Sequence, residues 1–179
     1  MGMWLFVLVV VLLFAAALLG YGVVRLSPTG GREWRPEGTP MLPWTLLAST
    51  AALLASSVAL HRSLVAVRQG RMLACTRGAT AAYWLGVAFV VLQGLAWWTL
   101  WQQVRMQDNL YAWTFYFLTA LHVFHVLGGL YALGVVAARA QAGQYRRDSH
   151  NGIVLCSIYW HSLDAIWLVL YATLWIGSR

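Results

Sequence analysis

Four residues in the C-terminal third of the chain, His122, His125, His161 and Asp164, are of types that bind metals or carry protons, and all four sit inside long apolar runs. His122 and His125 are three residues apart, as are His161 and Asp164, so on helices each pair lies on one face, about 4.5 Å apart along the axis. An Asp at the centre of a bilayer costs about 2.5 to 3.5 kcal/mol on the insertion scale, so it needs a partner, and the three histidines are the nearest candidates. Two chemistries fit. Two antiparallel helices presenting His-x-x-His and His-x-x-Asp to each other resemble the inward ligand pairs of a metal or haem bundle. The same residues can instead form a hydrogen-bonded cluster that clamps the two helices. Spacing alone favours the clamp, because metal clusters usually bring more than one carboxylate.

The elements that must position these residues follow from composition. Of 179 residues, 61% are hydrophobic and 9% are charged, and there are 11 Trp. A soluble domain carries about 25% charged residues. The composition therefore excludes a disordered chain, a coiled coil and an ordinary cytoplasmic enzyme, and leaves an all-α polytopic membrane protein. The net charge of +7 rests on 12 basic residues, all Arg, scattered between apolar runs rather than along one face, which does not suit nucleic acid. A membrane-spanning helix needs about 20 mostly apolar residues. Cutting the chain at its charges leaves five such runs and predicts helices over about 2–24, 42–62, 78–104, 110–138 and 152–177, within one transmembrane domain over 1–179. The runs are continuous and lack the alternation of a barrel wall.

The first run lacks a basic start and is longer than the roughly 7 to 15 residues of a signal core, so it reads as a retained helix. Position 6 is Phe rather than Ser or Thr, which argues against myristoylation. Five spans put the termini on opposite sides. A cytoplasmic N-terminus places Arg62, Arg68, Arg71, Arg77, Arg139, Arg146 and Arg147 inside and Arg25, Arg32, Arg35, Arg105 and Arg179 outside. The positive-inside rule then selects N-terminus cytoplasmic and C-terminus periplasmic, by seven arginines to five. The segment from Arg25 to Leu42, with Pro28, Gly30, Gly31, Pro36 and Pro40, reads as an irregular surface loop. Cys75 and Cys156 lack C-x-x-C spacing and fall near cytoplasmic span ends, where free thiols are expected. In span two, Ala48, Ala52 and Ser56, and again Ala51, Ala55 and Ala59, form rows of small residues suited to close helix packing. Gly128 and Gly129 suit packing too, although a glycine can also leave room for a lipid or cofactor. Gln93 reads as an interhelical hydrogen bonder, and His61, beside Arg62, as a solvated residue at the membrane boundary.

Residues 114–129, Thr-Phe-Tyr-Phe-Leu-Thr-Ala-Leu-His-Val-Phe-His-Val-Leu-Gly-Gly, resemble a helix of the five-helix members of the haem-copper oxidase subunit III family. The family pattern T-G-F-H-x-x-H-V-x-x-G is matched there by Thr119, His122, His125, Val126 and Gly129. Residues 159–167, Tyr-Trp-His-Ser-Leu-Asp-Ala-Ile-Trp, resemble its second signature, Y-W-H-F-V-D-x-x-W, preceded at the family's spacing by His150 and Gly152. The likeness extends to Met3-Trp4-Leu5-Phe6, Leu53-Leu54-Ala55-Ser56-Ser57, and Leu85-Gly86 with Phe89 and Gln93, and so covers nearly the whole chain. It implies an accessory subunit of a bacterial terminal oxidase, in the inner membrane, with no catalytic residue, haem or copper of its own. Haem and copper belong to the partner subunits, subunit I and subunit II. The bundle would hold phospholipid in a cleft, sustain proton uptake and protect the catalytic subunit. By the same resemblance His122, His125, His161 and Asp164 form an internal polar cluster with no metal, and Arg139, eleven residues before His150, matches an arginine that binds lipid phosphate.

Three positions depart from the family pattern, all by loss of a glutamate: Val10 in the first helix, Ala96 in Gln93-Gly94-Leu95-Ala96, and Val154 after His150 and Gly152. A membrane carboxylate can relay protons or pair with a neighbour, and neither Ala nor Val can do so. Scaffold and lipid roles are therefore expected to persist better than a proton relay. Within the family the alternatives are a quinol oxidase or an accessory protein of nitric oxide reduction, distinguished by the partner's electron donor. Outside it, the alternative is a membrane metalloenzyme using His122, His125, His161 and Asp164.

Overall fold

The computed structural model describes residues 2–26, 44–102 and 110–177. These form five helices, α1 (Gly2–Leu26), α2 (Trp44–Arg68), α3 (Met72–Trp101), α4 (Leu110–Gln141) and α5 (Asn151–Gly177), each long and apolar enough to cross a membrane. With no water in the hydrocarbon, each backbone amide and carbonyl must be bonded within its own helix, so continuous apolar runs of this length become helices. The expected loop from Arg25 to Leu42 gives up Arg25 and Leu26 to α1, because an arginine at the span end can stay helical, and the rest of it, with Arg32, Arg35, Arg105 and Arg179, lies outside the described residues.

Two expected ends shift. The α2 helix continues to Arg68 rather than ending near 62, and α3 begins at Met72 rather than 78. A cut at the first charge truncates both, because an arginine can stay helical while its long stem carries the guanidinium toward water. The α2–α3 connection is correspondingly tight. Gly70 takes φ +75°, its amide donates to the Val67 carbonyl at 3.0 Å, and the Arg71 amide donates to the Ala66 carbonyl at 2.9 Å. This pair of bonds is the Schellman closure, which needs a left-handed residue just past the helix end. The α4–α5 connection repeats it, with Gly143 at φ +68° and the Gln144 amide donating to the Arg139 carbonyl at 3.0 Å.

Consecutive helices from α2 to α5 pack against one another, and α2 also packs against α5, closing a four-helix bundle. The α2–α3 seam is built on serines. Ser49, Ser56 and Ser63, seven residues apart, are all fully buried. Ser56 donates to the Ala82 carbonyl at 2.7 Å and Ser63 to the Cys75 carbonyl at 2.8 Å. Ser49 reaches the Gln93 side-chain oxygen at 3.5 Å, which makes Gln93 the interhelical bonder expected of it. A small residue every seventh position keeps one line of α2 facing its neighbour, where backbones can approach closely. The expected alanine rows contribute less, since Ala51 and Ala55 point outward.

Helix α1 packs along α5. Phe6 meets the Tyr159 ring at 5.4 Å, and Arg25 donates to the Ile176 carbonyl at 3.4 Å, so the two helices run parallel. That direction is required when the three helices between them each cross the membrane. The inward line of α1 is Met3, Val7, Val10, Phe14, Ala17, Tyr21 and Val24, alternating steps of four and three, and most of its other side chains are exposed and apolar.

Candidate functional site

Helices α4 and α5 bring the two signature pairs into the bundle, but give them different neighbours. His122 is fully buried, with its ring centre 4.9 Å from Trp167 of α5, 6.0 Å from Phe89 of α3 and 6.0 Å from Phe14 of α1. Among the described residues neither of its ring nitrogens has a hydrogen-bond partner. His125 stacks edge-on against Phe14 at 5.2 Å, and its Nδ1 lies 2.8 Å from the Leu121 carbonyl. A carbonyl only accepts, so Nδ1 carries the proton there.

His161 and Asp164 belong to the α2–α5 seam. His161 Nδ1 lies 3.9 Å from Asp164 Oδ2 and shares a hydrogen bond with the Ser57 hydroxyl of α2. The carboxylate is almost completely buried, whereas the His161 side chain is 41% exposed. The partner of Asp164 is thus its own helix neighbour, with Ser57 alongside, rather than the histidines of α4. Ser57 has no ionisable group, and among the six Ser and Thr of α2 its hydroxyl carries no spacing signal of its own. His61 is exposed. It stands seven residues before the end of α2, about 10 Å inside it, with its ring 6.3 Å from that of His161. Among the described residues, no three His, Cys, Asp or Glu side chains converge as metal ligands would.

The remaining signature residues lock the helices in register. Trp167 donates from its indole to Thr50 of α2 at 2.9 Å, and Trp97 of α3 donates to Thr119 of α4 at 3.1 Å. The Tyr159 hydroxyl donates to the His125 carbonyl at 3.1 Å. Gly129 is pressed against α5, where an added Cβ would stand 3.1 Å from Trp160, while its neighbour Gly128 faces outward with only the Tyr159 hydroxyl at 4.0 Å. Packing is therefore what Gly129 provides. Val10 and Ala96 are buried, and Val154 is partly buried against the core. Cys75 and Cys156 are free thiols, both buried.

Arg139 is exposed in the last turn of α4, close to Tyr145 in the turn that follows. Burial pushes the Tyr145 phenol above its usual range, and the Arg139 guanidinium pulls it back in part. Between α3 and α4 a groove of about 580 Å³, walled by Tyr83, Trp84, Leu127 and Tyr131, ends at Gln141, two residues beyond Arg139. Thr76 donates to the Ala140 carbonyl at 3.0 Å and Gln141 to Thr80 at 3.1 Å, so both hairpins lie at the same end of the bundle.

The family described as Cytochrome c oxidase subunit III matches the chain over residues 1–178. Among individual proteins, the chain is similar to cytochrome c oxidase subunit 3 of Thermostichus vulcanus, 33% identical over 170 residues that make up 93% of this chain and 79% of that protein. It is similar to the subunit 3 of Pisaster ochraceus, 34% identical over 182 residues, 99% of this chain and 69% of the other. It also matches that of Synechocystis sp. (strain ATCC 27184 / PCC 6803 / Kazusa), 34% identical over 147 residues, 80% of this chain and 61% of the other.

Proposed function

Because the chain belongs to the cytochrome c oxidase subunit III family, we propose that it is the accessory third subunit of a haem-copper terminal oxidase of the bacterial cytoplasmic membrane. Haem and copper sit in the partner subunits, which reduce oxygen and pump protons. This chain binds phospholipid and steadies its catalytic neighbour. The observation that carries the reading is the extent of the likeness, which runs through all five helices rather than one motif. The seven arginines gathered at the two hairpins support a cytoplasmic place for that end, and for the N-terminus with it.

The polar residues act structurally in this reading. His122 fills an aromatic cage, and Ser57, His161 and Asp164 join α2 to α5. The nitrogens and carboxylate point to different neighbours, a poor donor set for a metal. Arg139 holds a lipid phosphate, with the α3–α4 groove beside it for an acyl chain. Val10, Ala96 and Val154 offer no carboxylate to a proton relay, so the contribution to turnover is one of support.

The test is purification of the chain from its native membrane in mild detergent, with mass spectrometry of what accompanies it and a haem spectrum. A large haem-copper subunit is expected. Its oxygen reduction should survive removal of this chain but fail after fewer turnovers, and Arg139→Gln should lower the phospholipid retained. A chain that emerges alone with bound metal, or an oxidase indifferent to its removal, refutes the proposal.

A further inference from the structure

We propose a second phospholipid site, separate from Arg139, in which Arg62, Arg71 and Arg77 hold the phosphate of an anionic lipid and the groove between α2 and α3 takes the upper part of an acyl chain. From Ala59 to Ala81 the chain has four arginines and no Asp or Glu. Three of those arginines line a groove of about 800 Å³ on the outer flank of the hairpin. Arg71 donates to Gln69, which occupies part of its fork. Among the described residues neither Arg62 nor Arg77 has a carboxylate or hydrogen-bond partner. Two exposed guanidinium groups over one groove repel each other unless an anion lies between them, and phosphate oxygens match the planar fork.

The floor identifies the rest of the ligand. It is made of Ala59, Gly78 and Ala81 and their small neighbours. Behind it the helices touch so closely that a Cβ on Gly78 would stand 2.9 Å from the Ser63 Cβ. Ala59 lies nine residues before the end of α2, and Ala81 nine residues after the start of α3, so the floor descends about 14 Å below the hairpin. Arg62 and Arg77 sit six and five residues inside those ends, a depth from which their stems reach up to headgroup level. The first turn of α3, Met72 to Ala74, lines the same mouth and adds the positive end of that helix. An acidic peptide satisfies the arginines equally, but laid along the floor it would leave backbone polar groups unbonded at hydrocarbon depth. A phosphate with an acyl chain below it suits both levels.

The experiment uses the intact oxidase complex, stripped of lipid and titrated with phosphatidylglycerol or phosphatidylcholine, with bound lipids counted by native mass spectrometry. The wild type should hold one more phosphatidylglycerol than the Arg62→Gln/Arg77→Gln double variant, whose affinity at this site should fall roughly thirtyfold. The Arg62→Lys/Arg77→Lys variant, which keeps the charge, should keep most of the binding and guards against a merely misfolded variant. Ala74→Phe, which fills the groove and spares the arginines, should also expel the lipid, and Arg139→Gln should leave this site occupied. Equal binding by the double variant, or equal binding of the two lipids, overturns the proposal. So does inorganic phosphate that competes as well as the lipid, and so does a photo-crosslinker at Leu73 that captures a neighbouring subunit's acidic segment.

Discussion

Replacing Gly129 and Gly128 by alanine, one at a time, separates close packing from backbone freedom at adjacent positions of one helix. At Gly129 the new methyl would lie 3.1 Å from Trp160 Cε3 and 3.2 Å from both Trp160 Cζ3 and Leu163 Cδ1. Trp160 and Leu163 are each 1% exposed, so neither can withdraw without moving α5. Overpacking of this kind costs about 1–3 kcal/mol. Removing a glycine from a helix interior returns about 0.5–1 kcal/mol, so Gly129→Ala should lose up to about 2 kcal/mol net. At Gly128 the nearest atom is the Tyr159 hydroxyl at 4.0 Å, and the helical gain stands alone. The two variants should differ by about 1–3 kcal/mol, with Gly128→Ala the more stable. Reversible unfolding of the full chain in mixed micelles, followed by tryptophan fluorescence, measures the difference. Equal stabilities, or the opposite order, would show that α4 and α5 do not meet at Trp160.

Three further outcomes follow from other seams. Ser57→Ala should cost about 1–2 kcal/mol in the same assay by leaving the half-exposed His161 ring and the buried Asp164 carboxylate beside it short of a partner. Ser162→Ala, whose hydroxyl donates to the Tyr159 carbonyl of its own helix, should cost nothing measurable beside it. Gly70→Ala and Gly143→Ala should each cost about 1–2 kcal/mol, because both residues occupy the left-handed region, and an unchanged stability would argue against the Schellman closures. Burial raises the Tyr145 phenol, so the folded state keeps its proton where the unfolded state has lost it, and stability must fall as pH rises above about 10. Tyr145→Phe should flatten that alkaline loss while changing nothing below pH 9, and identical pH profiles would refute the assignment.

The helices were legible because the hydrocarbon requirement acts on each segment alone: a long apolar run must be helical whatever its neighbours do. Their ends are less legible, because a charge does not mark a boundary: Arg62 and Arg77 belong to helical turns. His61 stays exposed, as its place beside Arg62 suggests. What the shorter helix hides is its neighbour: on a helix that continues to Arg68 the His61 ring comes within 6.3 Å of His161. The α2–α3 seam had a readable signal in Ser49, Ser56 and Ser63, a strict seven-residue period, but the neighbouring alanines were better known as packing residues and drew the reading.

For the polar residues, local spacing was readable and tertiary pairing was not. An i, i+3 interval places His161 beside Asp164, and the structure keeps that contact at 3.9 Å. Which helix faces them depends on how the bundle closes, and closure puts α2 against α5, so Ser57 is the partner across the seam. His122 instead receives Phe14 from α1, a helix more than a hundred residues earlier that joins the bundle along a narrow line. In lipid such a helix gains little from burying apolar surface, since the tails are as apolar as its side chains, and it is held by packing. The aromatic cage around His122 therefore ties the outlying helix to the bundle as well as housing an imidazole. That dual role accounts for a histidine that has no hydrogen-bond partner among the described residues standing where α1, α3, α4 and α5 meet.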